Sequence, residues 1–208
     1  MSNIKVTVHT EPFHYIVVEN LWTEQERKEM FDEMLYLENT GIFKPPEETG
    51  SATYVDSGKV IKKNSGMFID EVFYNRDCSD ILKHNRKLFK VFENKKVKDS
   101  WYFDGLNFNS DSTLVSYYED ACYYESHKDM VVVTAVSWFF KEPRKFVGGE
   151  ITFTDYDLTF RVTNDLTILF PSNIRHEVSE ISIDDEDKGK QNGRFCMSQF
   201  LYIIPENN

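Results

Sequence analysis

Cysteine is scarce in this chain: 208 residues contain 3, at Cys78, Cys122 and Cys196. An odd number of widely spaced cysteines excludes a disulfide framework as the basis of the fold and suits a reducing compartment. Positive charge is also in short supply, with 24 Lys and Arg against 35 Asp and Glu, a formal net charge of −11. A chain this acidic does not track a phosphate backbone by bulk electrostatics, so nucleic acid is not an expected partner. No stretch approaches the roughly 20 consecutive apolar residues of a membrane helix, and no membrane partner is expected. The first ten residues are polar with alternating Val and show no basic-then-apolar leader, so the expected location is cytoplasmic. Aromatic residues, by contrast, make up 15% of the chain, too many for a disordered one. The expectation is one globular domain over residues 1–208, with a helical and strand support region at 1–105 and a β-rich core at 106–205.

Residues 13–20 (FHYIVVEN) read as a strand, and Thr23 with Glu26 forms a capping-box start signal. Met30, Phe31, Met34, Leu35 and Leu37 then recur at helical spacing up to Gly41, predicting a helix that lays one face on a sheet. After Pro45 and Pro46, a strand is predicted over residues 65–73. A second helical pattern over 81–98 has Ile81, Leu82, Leu88, Phe89 and Phe92 on one face and seven Lys or Arg on the other, read as a solvated face. From residue 106 the texture changes to short β-rich runs (TLVSYY, VVVTAVSWFF, EITF, LTFRV, LTILF, RFCMSQFLYII). Turn residues separate them, among them Gly148-Gly149, which predicts a sandwich or barrel decorated by helices. Residues 184–193 (DDEDKGKQNG) read as a solvated loop before the last strand.

Histidine is rare as well, at 5 residues, and one of these opens the triplet His127-Lys128-Asp129. On an extended chain residues i and i+2 share a side, so His127 and Asp129 can face a barrel interior together. His176, 47 residues after Asp129 in a strand-turn-strand context, is the candidate third ligand. Two His and one carboxylate form the facial triad of non-haem Fe(II) oxygenases, which leaves coordination positions open. A keto-acid chelating such a metal needs a cation for its far carboxylate. Arg194 opens the last strand and offers the bidentate fork, with Ser198 on the same face by the period of 2. His9, His14 and His84 read as ordinary structural histidines, and Cys122 and Cys196 as small buried fillers.

At this point the chain resembles the Fe(II)/2-oxoglutarate-dependent dioxygenases of the prolyl 4-hydroxylase-like branch. Residues 118–127 (YEDACYYESH) are similar to that branch's Tyr-x-x-Gly-x-x-Tyr-x-x-His approach to the metal motif, with Ala121 at the usual Gly. Gly148-Gly149-Glu150-x-x-Phe153 resembles its Gly-Gly-Glu-Thr-x-Phe hairpin, and Val162, Asp165, Phe170, His176-Glu177-Val178 and Gly193-Arg194 follow in order. The likeness covers roughly residues 13–204. Two departures stand out: 18 residues from His176 to Arg194, longer than usual and read as an insertion at 184–193, and an Arg where collagen-type enzymes use Lys.

The resemblance implies a mainly β (α+β) fold, a double-stranded β-helix or jelly roll with N-terminal helices packed on one sheet. It implies an oxidoreductase that binds Fe(II) through His127, Asp129 and His176 and takes 2-oxoglutarate as co-substrate at Arg194, Tyr118, Ser198 and Tyr124. Ascorbate is a further implied cofactor. Such an enzyme uses dioxygen to hydroxylate a C–H bond with release of succinate and CO2. Asp129 as a ligand argues against the halogenating relatives. The expected substrate is a prolyl residue in a peptide or protein, with Lys62, Lys63 and residues 65–69 as rim contacts. The alternatives are a free amino acid or other small molecule, or a non-catalytic metal-binding jelly-roll module. A nucleic-acid demethylase is disfavoured, because neither Arg nor Lys follows Arg194. Should Arg194 not be the anchor, Lys141 and Arg161 are the next candidates.

Overall fold

The computed structural model describes residues 4–50 and 58–204. β1 (Lys5–His9) and β2 (Tyr15–Glu19) form an antiparallel pair, followed by α1 (Glu24–Asn39). Thr23 caps α1 as the sequence predicts: its side chain accepts from the Glu26 amide, while the Glu26 carboxylate accepts from the Thr23 amide at 2.7 Å. The chain continues through β3 (Lys62–Lys63), β4 (Ser65–Phe68), α2 (Ile69–Val72), α3 (Asp80–Asn85), β5 (Ser110–Tyr118), β6 (Tyr123–His127) and β7 (Val133–Phe139). It ends with β8 (Phe146–Val147), β9 (Ile151–Phe153), β10 (Leu158–Phe160), β11 (Leu166–Pro171), β12 (His176–Val178), β13 (Ser182–Ile183) and β14 (Arg194–Tyr202).

Two sheets face each other in a jelly roll. The larger has the order β1-β2-β11-β7-β14-β5-β4 and the smaller β10-β9-β12-β6-β3, with β13 and β8 as a separate pair. Alternation along β14 sorts the residues. Phe195, Met197 and Leu201 point away from the partner sheet and join Met30, Met34 and Leu37 of α1 in one core, with Phe31 and Phe195 rings 6.0 Å apart. Cys196, together with Tyr118, Trp138, Phe153 and Phe170, belongs to a second core between the sheets. The helix thus braces the outer face of the larger sheet, and the interface between the two sheets is left to form the site.

Two predicted elements differ. The strand expected over 65–73 stops at Phe68, because the Asp70 carboxylate accepts the Thr113 amide at 2.6 Å and pairs with Arg76 at 3.2 Å, turning the chain into α2. The helix expected over 81–98 is α only through Asn85, then continues as 3₁₀ turns over Arg86–Val91 and Lys95–Asp99. Asn85 is buried and its amide is held sideways by Thr113 Oγ1 at 2.7 Å and by the Arg76 guanidinium, which interrupts a continuous α-helix there. The basic face is a surface with partners: Lys83 meets Asp80, Arg86 meets Asp111 and Lys87 meets Glu26.

The 184–193 insertion leaves the last strand in register, since Arg194 stands opposite Tyr118 on β5. Gln191 holds the loop onto α1 through the Leu35 carbonyl at 2.9 Å and Glu38 at 2.6 Å. Gly193 lets β14 begin: a Cβ there would lie 2.0 Å from the Tyr118 carbonyl oxygen, a backbone atom. Gly193→Ala must therefore separate β14 from β5 and is expected to cost about 3 kcal/mol, lowering Tm by about 6–12 °C. Thermal unfolding checks this, and an unchanged Tm would contradict the registered start of β14.

Candidate metal centre and its cavity

β12 pairs antiparallel with β6 so that His176 stands directly opposite His127, and their ring centroids are 4.2 Å apart. Asp129 lies just beyond β6, where its amide donates to the Ser172 carbonyl at 2.9 Å. That tether turns its carboxylate toward both imidazoles. His127 Nε2 is 3.9 Å from Asp129 Oδ1, and His176 Nε2 is 3.7 Å from Asp129 Oδ2. One ligand atom from each residue lies within 4.8 Å of the others.

The surroundings prepare these three groups as ligands. His127 Nδ1 is 2.8 Å from the Glu125 carbonyl and His176 Nδ1 is 3.0 Å from the Ile174 carbonyl. A carbonyl only accepts, so both Nδ1 atoms carry the proton and both Nε2 lone pairs are left to face Asp129. Thr134 Oγ1 donates to Asp129 Oδ2 at 2.7 Å and lies 2.8 Å from Ser172 Oγ. Tyr124 stacks on His127 at 3.5 Å between centroids, and Phe170 meets His176 edge-on at 4.8 Å. Burial, together with His176 and Lys62 nearby, holds the His127 pKa well below its usual value, so its imidazole is neutral and ready to bind a metal. Two imidazole nitrogens and a carboxylate, each oriented by a second hydrogen bond, fit a divalent metal that accepts N and O donors.

A cavity of about 220 Å³ opens onto the three residues and is lined also by Tyr118, Tyr124, Lys62, Trp138, Cys196 and Ser198. Its size suits a small molecule or a single side chain. Arg194 lies behind this lining, with its guanidinium 4.4 Å from the ring centroid of Tyr118. It is 0% exposed, and among the described residues Nε, Nη1 and Nη2 have no hydrogen-bond partner. A buried, unpartnered guanidinium is costly, and the group that balances it is an anion. Gly149, expected to be a turn former, has φ +77° and a second role: a Cβ there would stand 2.8 Å from Arg194 Nε. Ser198 faces the cavity as the strand period predicts, 3.8 Å from the Cys196 thiol. Lys141 instead donates to the Lys190 carbonyl at the surface, and Arg161 is exposed, so neither reaches the cavity. His9 stacks on Tyr15, His14 bonds Ser100 and His84 bonds Glu29, in keeping with structural roles.

Lys62, expected at the rim with Lys63, does line the cavity but is buried in its wall at 2% exposure, whereas Lys63 is on the surface. β3 pairs with β6 so that Lys62 lies opposite Tyr124, and its ammonium donates to the Thr49 carbonyl at 2.7 Å and to Thr49 Oγ1 at 2.9 Å. Burial lowers its pKa to about 8, against the opposing pull of Glu47 and Asp129. Between that value and the ordinary 10.5 the unfolded chain holds a proton that the folded chain does not, so stability rises with pH across the window. The stability difference between the unaltered protein and Lys62→Met is therefore expected to shift in favour of the unaltered protein by up to about 3 kcal/mol from pH 7.5 to 10.5. Denaturant unfolding at the two pH values measures it, and a pH-independent difference contradicts it.

Searched against protein-family models and curated proteins, the sequence gives no match. Solved structures do match. A prolyl-4-hydroxylase from Pseudomonas putida superposes with a TM-score of 0.62 at 12% identity, over 91% of this chain and 92% of that one. A viral collagen prolyl hydroxylase from Paramecium Bursaria Chlorella virus-1, solved as a 2OG complex, superposes with a TM-score of 0.55 at 13% identity, over 91% and 96%. A truncated form of the viral enzyme gives 0.53. Across nearly its whole length, the chain has the jelly-roll fold of these prolyl hydroxylases.

Proposed function

We propose that this protein is an Fe(II)- and 2-oxoglutarate-dependent dioxygenase that hydroxylates a C–H bond, with a prolyl residue of a peptide or protein as first substrate. The observation that carries the reading is the convergence of His127 Nε2, His176 Nε2 and the Asp129 carboxylate at one end of a small cavity. The unpartnered Arg194 guanidinium behind the same cavity supports it. Bound at this site, Fe(II) with 2-oxoglutarate would supply dioxygen chemistry, one oxygen atom going to the substrate C–H bond and the other to succinate with loss of CO2.

The protein's own residues hold and orient. His127, Asp129 and His176 would hold the metal, and the cavity opens onto them. Arg194 takes the far carboxylate of 2-oxoglutarate in a bidentate pair, and Tyr118 and Ser198 contribute hydroxyls to it. Tyr124 keeps the His127 ring in place and covers it from water. The β core from residue 106 onward carries the chemistry and the preceding region braces it, with Thr49, Gly50, Lys62, Asn64 and Phe68 completing the cavity wall. Three free cysteines suit a reducing cytoplasmic setting. Among the described residues no helix is long and apolar enough to cross a membrane.

The reading is tested by incubating the protein with Fe(II), 2-oxoglutarate, ascorbate as reductant and proline-containing peptides. Succinate and a product of one added oxygen should form together. Product from a free amino acid and none from any peptide would move the substrate to the small-molecule alternative, and absence of succinate with every candidate would favour a binding-only site.

A further inference from the structure

Lys62 is a buried cation in the wall of the cavity that holds the three candidate ligands, and the proposed chemistry does not use it. An ammonium has three donors. Two of them reach Thr49, through neutral oxygens, and no carboxylate lies within ion-pair distance among the described residues. Its Nζ is 5.3 Å from the centroid of the Tyr124 ring, the same ring that stacks on His127. The ammonium is thus one aromatic ring away from the metal ligands, with a donor to spare and, among the described residues, no carboxylate in contact with it.

Charge bookkeeping indicates what it faces when the site is filled. A divalent metal with Asp129 and a dicarboxylate keto-acid leaves one negative charge, which Arg194 neutralises. Lys62 adds a further positive charge in a low-dielectric site, one that Glu47 attracts from a distance but that no carboxylate among the described residues contacts. A neutral prolyl side chain does not answer it. A carboxylate does.

We propose that Lys62 is a specificity residue that ion-pairs with a carboxylate of the substrate beside the reacting carbon. The substrate is then anionic, either a free imino acid or amino acid presenting its α-carboxylate, or a peptide with an acidic residue next to the reactive one. This rests on the dioxygenase reading above and narrows its substrate class.

Two probe pairs separate the sources, L-proline against L-prolinamide and acetyl-Pro-Glu-amide against acetyl-Pro-Gln-amide. Calorimetry under anaerobic conditions measures their binding to the protein loaded with Fe(II) and 2-oxoglutarate, without turnover. The carboxylate member of at least one pair should bind about 30-fold more tightly or better. Lys62→Met should bring that ratio to near one, and Lys62→Arg should keep much of it. Lys62→Gln, which retains a donor for Thr49, replaces Lys62→Met if the latter does not fold. A role confined to tethering Thr49 would weaken all four probes alike and leave the ratio intact. The proposal is overturned by equal binding within both pairs, by no binding of either carboxylate, by a preference that survives loss of the lysine, or by loss of 2-oxoglutarate affinity alone. Failure of the unaltered protein to bind Fe(II) and 2-oxoglutarate together instead overturns the dioxygenase reading, so the two failures are distinct.

Discussion

Asp129→Ala and His176→Ala are each expected to lose Fe(II) affinity by more than about 100-fold, since removing only the groups that orient metal ligands already costs about 10- to 100-fold. The geometry gives the reason. Each Nε2 faces a different oxygen of the Asp129 carboxylate, at 3.9 and 3.7 Å, so removing the carboxylate leaves two neutral donors facing each other across an empty corner. Removing His176 leaves His127 and Asp129 without the strand partner that brings a third donor alongside. Thr134→Val tests the supporting layer. It deletes the hydroxyl that donates to Asp129 Oδ2 at 2.7 Å, and the expected loss is about tenfold. Anaerobic equilibrium binding of Fe(II) measures all three. If the alanine variants bind iron as tightly as the unaltered protein, these residues are not its ligands.

Arg194→Ala is expected to weaken 2-oxoglutarate by about 30- to several-thousand-fold, while Fe(II) binding in its absence changes little. The side chain is 0% exposed and among the described residues its three nitrogens have no hydrogen-bond partner, so a carboxylate that reaches it forms a desolvated, charge-assisted pair. Removing the guanidinium leaves that carboxylate buried alone. Arg194→Lys should recover only part of the loss, because a point charge keeps the attraction but not the fork. Gly149→Ala should act in the same direction, as its Cβ would meet Arg194 Nε at 2.8 Å and displace the guanidinium. The 2-oxoglutarate dependence of succinate formation, set beside Fe(II) titrations, resolves the two effects. Parallel loss of both ligands, or loss of neither, would remove Arg194 from the anchor role.

The sequence showed those parts of the site that depend on local pattern. The start of α1 was legible because a capping box is complete within four residues. His127 and Asp129 were legible as candidates from their spacing, and His176 from its strand-turn-strand context, whereas the β12–β6 pairing that sets the two imidazoles opposite each other was not. Arg194 and Ser198 followed from alternation along a nine-residue strand. What stayed hidden depends on distant partners. Lys62 and Lys63 are the same residue type on a two-residue strand, too short to show a period, and only pairing with Tyr124 and Tyr123 decides which one turns inward. The end of the 65–73 strand is set by Thr113 capturing Asp70, and the break after Asn85 again by Thr113, 28 residues away in sequence. Ala121 shows the converse: it has φ +58°, so the position at which the resembling motif carries Gly is a left-handed one in this chain.

One measurement tests the central claim most directly: anaerobic titration of the metal-free protein with Fe(II) and then 2-oxoglutarate, followed in the visible spectrum. A chelated keto-acid on iron held by two His and one Asp gives a charge-transfer band absent with either component alone. The account predicts that this band grows to saturation at one 2-oxoglutarate per chain, is lost in Asp129→Ala, and needs much higher 2-oxoglutarate in Arg194→Ala. A protein that binds Fe(II) yet shows no such band at any 2-oxoglutarate concentration would contradict it.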